Sequence, residues 1–112
     1  MQEINNNTAQ NRIQRLTQML QEMPGDCFLL HALGLEYQKM GELQLAIESF
    51  QRVLAINEKY IGTYYHLGKT LEMQGEPESA IAVYEKGILI ARELNDRHAM
   101  NELQMVLDEL TD

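Results

Sequence analysis

From Leu30 to Ile88 the apolar residues fall on helical spacing. Leu30, Leu33, Tyr37 and Met40 form one stripe, and Leu43, Ala46, Ile47, Phe50, Val53 and Leu54 form the next. Tyr64, Leu67 and Leu71, then Ala80, Ile81, Tyr84 and Ile88, repeat the arrangement. Steps of three, four and seven predict amphipathic helices that each bury one face. Gly41 and Gly75 divide the paired stripes and read as helix stops. Pro77 follows directly, at a position where a helix start accepts proline. Ala9, Ile13, Leu16, Met19, Leu20 and Met23 make a further stripe before these, and Ala99, Met100, Leu103, Val106, Leu107 and Leu110 one after them. Strict alternation is scarce, so the pattern predicts an all-α chain with helices over 8–23, 27–40, 44–57, 61–74, 77–93 and 97–110. The asparagine-rich start, Met1–Asn7, is expected to fray. Asp96 or Asn95 is the expected N-cap of the last helix.

Sliding the chain by 34 residues superposes its punctuation. Leu33-Gly34 falls on Leu67-Gly68, Gly41-Glu42 on Gly75-Glu76, Ala46-Ile47 on Ala80-Ile81, and Phe50 on Tyr84. A helix-interior glycine costs about 1 kcal/mol against alanine. Gly34 and Gly68 therefore mark points where two helices cross too closely for a side chain, as do Ala46, Ala80 and Gly87. Leu33-Gly34, Tyr37, Gly41, Ala46 and Phe50, repeated as Leu67-Gly68, Gly75, Ala80 and Tyr84, resemble the tetratricopeptide repeat, of the kind found in small bacterial proteins. The resemblance covers 27–60 and 61–94. Glu58 and Arg92 stand where the family usually has a proline, and Leu30 where it has a large aromatic. Pro24 lies 34 residues before Glu58, where a preceding repeat would end. The implied fold is an α-solenoid of antiparallel helix pairs in one domain, 1–112. Two full units are flanked by a half-repeat helix within 8–26 and a capping helix within 95–112. The last stripe arrives about two residues late, which predicts a longer turn before it.

The chain has 112 residues, a length suited to one domain. Its 9 basic residues are scattered singly against 17 acidic ones, for a net charge of −8. No basic stripe is present to hold a nucleic-acid backbone or an anionic membrane surface, so neither is expected as a partner. Cys27 is the single cysteine, which leaves no internal disulfide and points to a reducing, cytoplasmic setting. The N-terminus lacks the basic and apolar regions of a secretory signal, and no run of about 18 apolar residues is present to span a membrane.

Chemistry-bearing residues are sparse. His31, His66 and His98 fall on three successive first helices, without the paired spacing of a metal motif. They are read as groove or packing residues, with a metal- or thiol-dependent regulatory site as the remote alternative. Cys27 could be a thiol activated at a helix N-terminus, but a small residue at a repeat junction is the plainer reading. The glycines are spread by the repeat rather than clustered into a phosphate loop, and Ser49 and Ser79 have no base nearby in the pattern. The chain is read as not an enzyme, with no cofactor and no metal. Met19, Met23, Met40, Met73, Met100 and Met105 lie on or near apolar stripes and are expected as core fillers, with an adaptable binding surface as the alternative.

The resemblance implies a concave groove lined by the first helices of successive units, and hence a protein–protein interaction module or adaptor. The residues expected to face the groove are Phe28, His31, Leu35 and Gln38 from the first unit. The second supplies Tyr65, Lys69, Glu72 and Met73, and the last helix His98, Asn101, Glu102 and Met105. Phe28, Leu35 and Tyr65 would serve as anchors. Glu72, Glu102 and Glu109 favour a neutral to basic protein or peptide. Family members that bind chaperones hold a partner's terminal carboxylate with Lys, Asn and Arg on these helices. Here the matching places read His31, Leu35, His66, then Asp96 or His98 and Met100 or Glu102, so no such clamp is expected. A second reading is a homo-oligomerising scaffold, such as a homodimer, in which another copy covers an apolar N-terminal flank at Ile13, Leu16 and Leu20.

Overall fold

Glycine at one helix and an aromatic ring at the next set the spacing of this fold. The computed structural model describes residues 3–112, with side chains from residue 8 onward. Its helices are α1 (Glu3–Glu22), α2 (Cys27–Lys39), α3 (Leu43–Ile56), α4 (Gly62–Met73), α5 (Pro77–Glu93) and α6 (Arg97–Thr111). Five follow the expected boundaries to within one residue at each end. α1 starts at Glu3, ahead of position 8. Of the segment expected to fray, Met1 and Gln2 lie outside the described residues.

Each helix packs on the next in sequence, and in addition α2 touches α4 and α4 touches α6. That is the contact pattern of a stack: α2 with α3 and α4 with α5 form hairpins, and α2, α4 and α6 lie side by side. Phe50 on α3 and Tyr84 on α5 are wholly buried at the centre of the two hairpins. A Cβ built on Gly34 would lie 2.5 Å from the Phe50 ring, and one on Gly68 would run into the Tyr84 ring. A Cβ on Gly87 would meet Tyr64 at 2.8 Å and Leu103 at 2.9 Å, where α5 meets α4 and α6. The small residues thus let ring and backbone touch directly.

The turns repeat as well. Gly41 and Gly75 have φ of +80° and +81°, and Asn95 takes the same left-handed role at φ 55° after α5, so the turn expected to be longer before α6 matches the other two and the late stripe comes from a longer α5. In each case the chain closes the helix with paired backbone bonds, such as Gly41 N–H to the Gln38 carbonyl and Glu42 N–H to the Tyr37 carbonyl. Asp26 and Asp96 cap α2 and α6 through bonds from Leu29 N–H and Ala99 N–H, each 3.0 Å. Asp96 is one of the two caps expected; Asp26 was legible by the same rule but not singled out.

α1 lays its stripe on α2. Leu20 is buried and Ile13 and Leu16 are half-buried against Leu29, Leu30 and Leu33, so α2 already covers most of the flank expected to need a second copy. An edge with Leu16 and Met19 stays accessible, as does one where Ile13 meets Tyr37 and Met40. At the other end, allowing for the late stripe, Gln104 occupies the position that Gly34 and Gly68 hold in the full units. It is exposed and donates to Asp108 at 2.9 Å, a polar finish to the stack.

The expectation that methionines fill the core is overturned. Met19, Met23, Met73 and Met105 are exposed, and Met40 and Met100 are half-buried. The hairpin centres are filled instead by Phe50, Tyr84, Leu30, Leu67 and Leu103, and the methionines sit at the margins of their stripes.

Replacing Gly34 by leucine should destabilise the protein by about 1–3 kcal/mol, the cost of overpacking a filled core. Thermal or urea unfolding measures it, and an unchanged midpoint would refute the close crossing. Gly25→Leu is the control, since a Cβ there meets nothing within 4 Å.

Candidate functional site

Two side-chain bonds tie the first helices of the full units together. His31 Nδ1 lies 2.8 Å from Thr63 Oγ1, and Gln38 Nε2 donates to Thr70 Oγ1 at 2.7 Å. Both pairs are 32 residues apart, and they repeat after two helical turns, so α2 and α4 are laced along their length. Thr63 and Thr70 are wholly buried. The Thr70 hydroxyl in turn donates a hydrogen bond to the His66 carbonyl at 2.7 Å, so it both accepts and donates. Burying a hydroxyl without such partners costs about 1–3 kcal/mol.

Rings gather above this lacing. His31 packs against Phe50 and Tyr60, with centroids 5.5 and 5.7 Å away, and meets His66 edge-on at 5.4 Å. His66 in turn meets Tyr65 at 5.4 Å. His98 is exposed on α6 and takes no part in this cluster. Among the described residues, no three His, Cys, Asp or Glu side chains converge to hold a metal ion. The Cys27 thiol is half-buried and lies 3.8 Å from the Val53 carbonyl, a packing position.

The twelve residues expected to face a groove divide into three groups. Phe28, Met73 and Met105 are large apolar side chains left 69%, 58% and 63% exposed. His98, Asn101 and Glu102 are exposed on α6. The other six are partly drawn into the protein. Leu35 and Tyr65 pack on the core. His31 and Gln38 spend a polar atom on α4. Lys69 pairs with Glu72 at 3.7 Å, and Glu72 also accepts the Tyr84 hydroxyl. Thr63 and Thr70, which the sequence reading did not single out, join α4 to α2, and His66, read there as a groove or packing residue, packs its ring beside them. The signal for the threonines was present: two small polar residues, seven apart, each offset by 32 from a longer polar residue.

Burial also sets the protonation of the rings. His31 is lowered to about 4, first by loss of solvent and then by the neighbouring His66. Loss of solvent lowers His66 too, opposed by Glu102. Burial, followed by the bond to Glu72, pushes the Tyr84 hydroxyl upward. A histidine with a depressed folded-state value binds its proton more readily when unfolded. Its contribution to stability is whole above the unfolded value of 6.5 and is lost as pH falls toward about 4. Melting temperatures measured across this window should fall on acidification, and His31→Gln should flatten that dependence relative to the parent. A parallel pH profile in both proteins would show that the ring does not contribute.

The sequence matches the family model described as the tetratricopeptide repeat over residues 27–93. No curated protein matches it. Among solved structures, a tetratricopeptide repeat domain protein from Salinibacter ruber is 34% identical, with 77% of this chain and 96% of that one covered at a TM-score of 0.72. The TPR2B domain of yeast Sti1, solved in complex with pHsp70, superposes at a TM-score of 0.86 with 14% identity, covering 98% of this chain and 88% of that one. SycD, a type III secretion translocator chaperone of Yersinia enterocolitica, gives 0.84 with 15% identity over 98% of this chain and 77% of that one. At those two identities the likeness is one of fold. The repeat spacing, the glycine–aromatic crossings and the matched span agree: this chain belongs to the tetratricopeptide repeat family.

Proposed function

We propose that this protein is a non-enzymatic interaction module, an adaptor that holds a segment of another protein across the face formed by α2, α4 and α6. The observation that carries this reading is the set of large apolar side chains left open on those three helices, Phe28, Met73 and Met105. Three such side chains on neighbouring helices keep most of their surface in solvent, and aromatic and methionine side chains suit an adaptable anchor. Polar groups alternate with them, and Glu72, Glu102 and Glu109 outnumber Lys69 on this side, which favours a neutral to basic segment. His31, Leu35 and His66 supply none of the cations that a terminal-carboxylate clamp needs, so recognition rests on side chains of the partner. Two of the structural relatives are named for protein partners or chaperone activity, which supports a protein ligand over a small molecule. A reducing, cytoplasmic location is part of the same proposal, supported by the single cysteine of the chain.

Affinity capture with Phe28→Ala/Tyr65→Ala tests the face. Partner recovery should fall about tenfold or more, as for loss of interfacial anchors. Phe28→Ala alone should change the melting temperature little, because the ring is 69% exposed. Recovery unchanged in the double variant would remove the face from consideration.

A further inference from the structure

A separate feature lies at the α1–α2 end of the stack. In the two full units a first-type helix lies over the central aromatic: α2 over Phe50 and α4 over Tyr84. Leu16 holds the same place in α1, at 34-residue steps from both. No helix among the described residues lies over it. A cavity of about 260 Å³ opens there instead, lined by Arg12, Arg15, Leu16, Met19, Ala32 and Glu36. Ala32 and Glu36 are the α2 counterparts of His66 and Thr70, the side of α4 that α2 covers. The cavity is thus half of a helix socket, with floor and wall already in place.

Its charge is the reverse of the chain's. Arg12 donates to Glu36 at 2.9 Å, and Lys39 lies 3.5 Å from the same carboxylate. Arg15 is exposed and pairs with no acidic group among the described residues. Two cations therefore share one carboxylate, and a third, Arg15, lines the same cavity unpaired, in a protein of net charge −8. Arg12 also stands where Ala46 and Ala80 allow close helix approach in the full units. An incoming helix must ride over the Arg12–Glu36 pair rather than nest against bare backbone. It needs carboxylates to meet the excess cations and apolar side chains to fill the cavity. The volume lies below the range of about 300–1,000 Å³ typical of small-molecule sites, which suits side chains rather than a free metabolite.

We propose that this cavity is the seat of an acidic amphipathic helix from a partner protein, on a surface distinct from the α2–α4–α6 face. A second copy of this chain is disfavoured as occupant by the repulsion between two molecules of the same large net charge.

The probe is a synthetic amidated peptide of about 14 residues, near the shortest length for a helix in water. It carries leucine at i, i+3, i+4 and i+7 with glutamates beside that stripe, and a control carries lysine in place of glutamate. NMR titration of the full chain should shift Arg15, Leu16, Met19 and Ala32 with the glutamate peptide only. Raising salt from about 0.05 to about 0.3 M should weaken binding. Arg15→Glu should weaken it about tenfold or more while leaving the melting temperature in place, since Arg15 has no partner to lose. Equal binding by the lysine peptide, shifts elsewhere, or unchanged affinity in Arg15→Glu would overturn the proposal. So would sedimentation showing a dimer that Arg15→Glu dissolves, which would make the occupant a second copy.

Discussion

The structure depends on the contact between a glycine backbone and an aromatic ring. Gly34 over Phe50 and Gly68 over Tyr84 bring the two helices of each hairpin together with no intervening Cβ. The rings are wholly buried by that approach, and truncating a buried Phe typically costs about 3–5 kcal/mol. A helix-interior glycine gives up about 1 kcal/mol of propensity, so the crossing wins by a clear margin. Because both crossings recur at the same spacing, the hairpins are near copies, and α2, α4 and α6 are brought into one row. The face that carries the exposed side chains is a consequence of the crossings beneath it.

Polar lacing fixes how that row sits. Hydrophobic burial alone lets neighbouring helices slide, because apolar contact is not directional. The His31–Thr63 and Gln38–Thr70 pairs set the register of α4 against α2, since a shift by one residue would take His31 from the wholly buried Thr63 hydroxyl and the Thr70 acceptor from Gln38. The lacing also costs the candidate site some of its chemistry. His31 and Gln38 look like free groove residues in the sequence, yet each uses a polar atom for assembly. The candidate residues that stay exposed are three large apolar side chains, two of them methionines, and three polar ones confined to α6.

The two ends of the stack differ from its middle for a related reason. Internal interfaces use Gly and Ala where helices approach. Position 104 carries Gln at one end, and position 12 carries Arg at the other. Gln104 bonds within its own helix, whereas Arg12 reaches to α2 and contributes to a cationic edge. The same departure from a small residue gives a finished surface in one place and a charged cavity in the other.

Periodicity was enough to determine the helices, the hairpins, the turn glycines and the close crossings, because each depends on residues within one 34-residue unit. Gly34 and Phe50 are 16 residues apart, and a repeat read from sequence places them opposite each other. The fate of individual side chains on the shared face was decided only in the tertiary structure. Stripe margins and stripe centres look alike in a linear pattern, so the methionines read as core and emerged at the surface. The Arg12–Glu36 pair joins α1 to α2 across 24 residues, outside any repeat period. Contacts of that kind depend on which helix faces lie opposite in three dimensions, and a one-dimensional period carries no record of them.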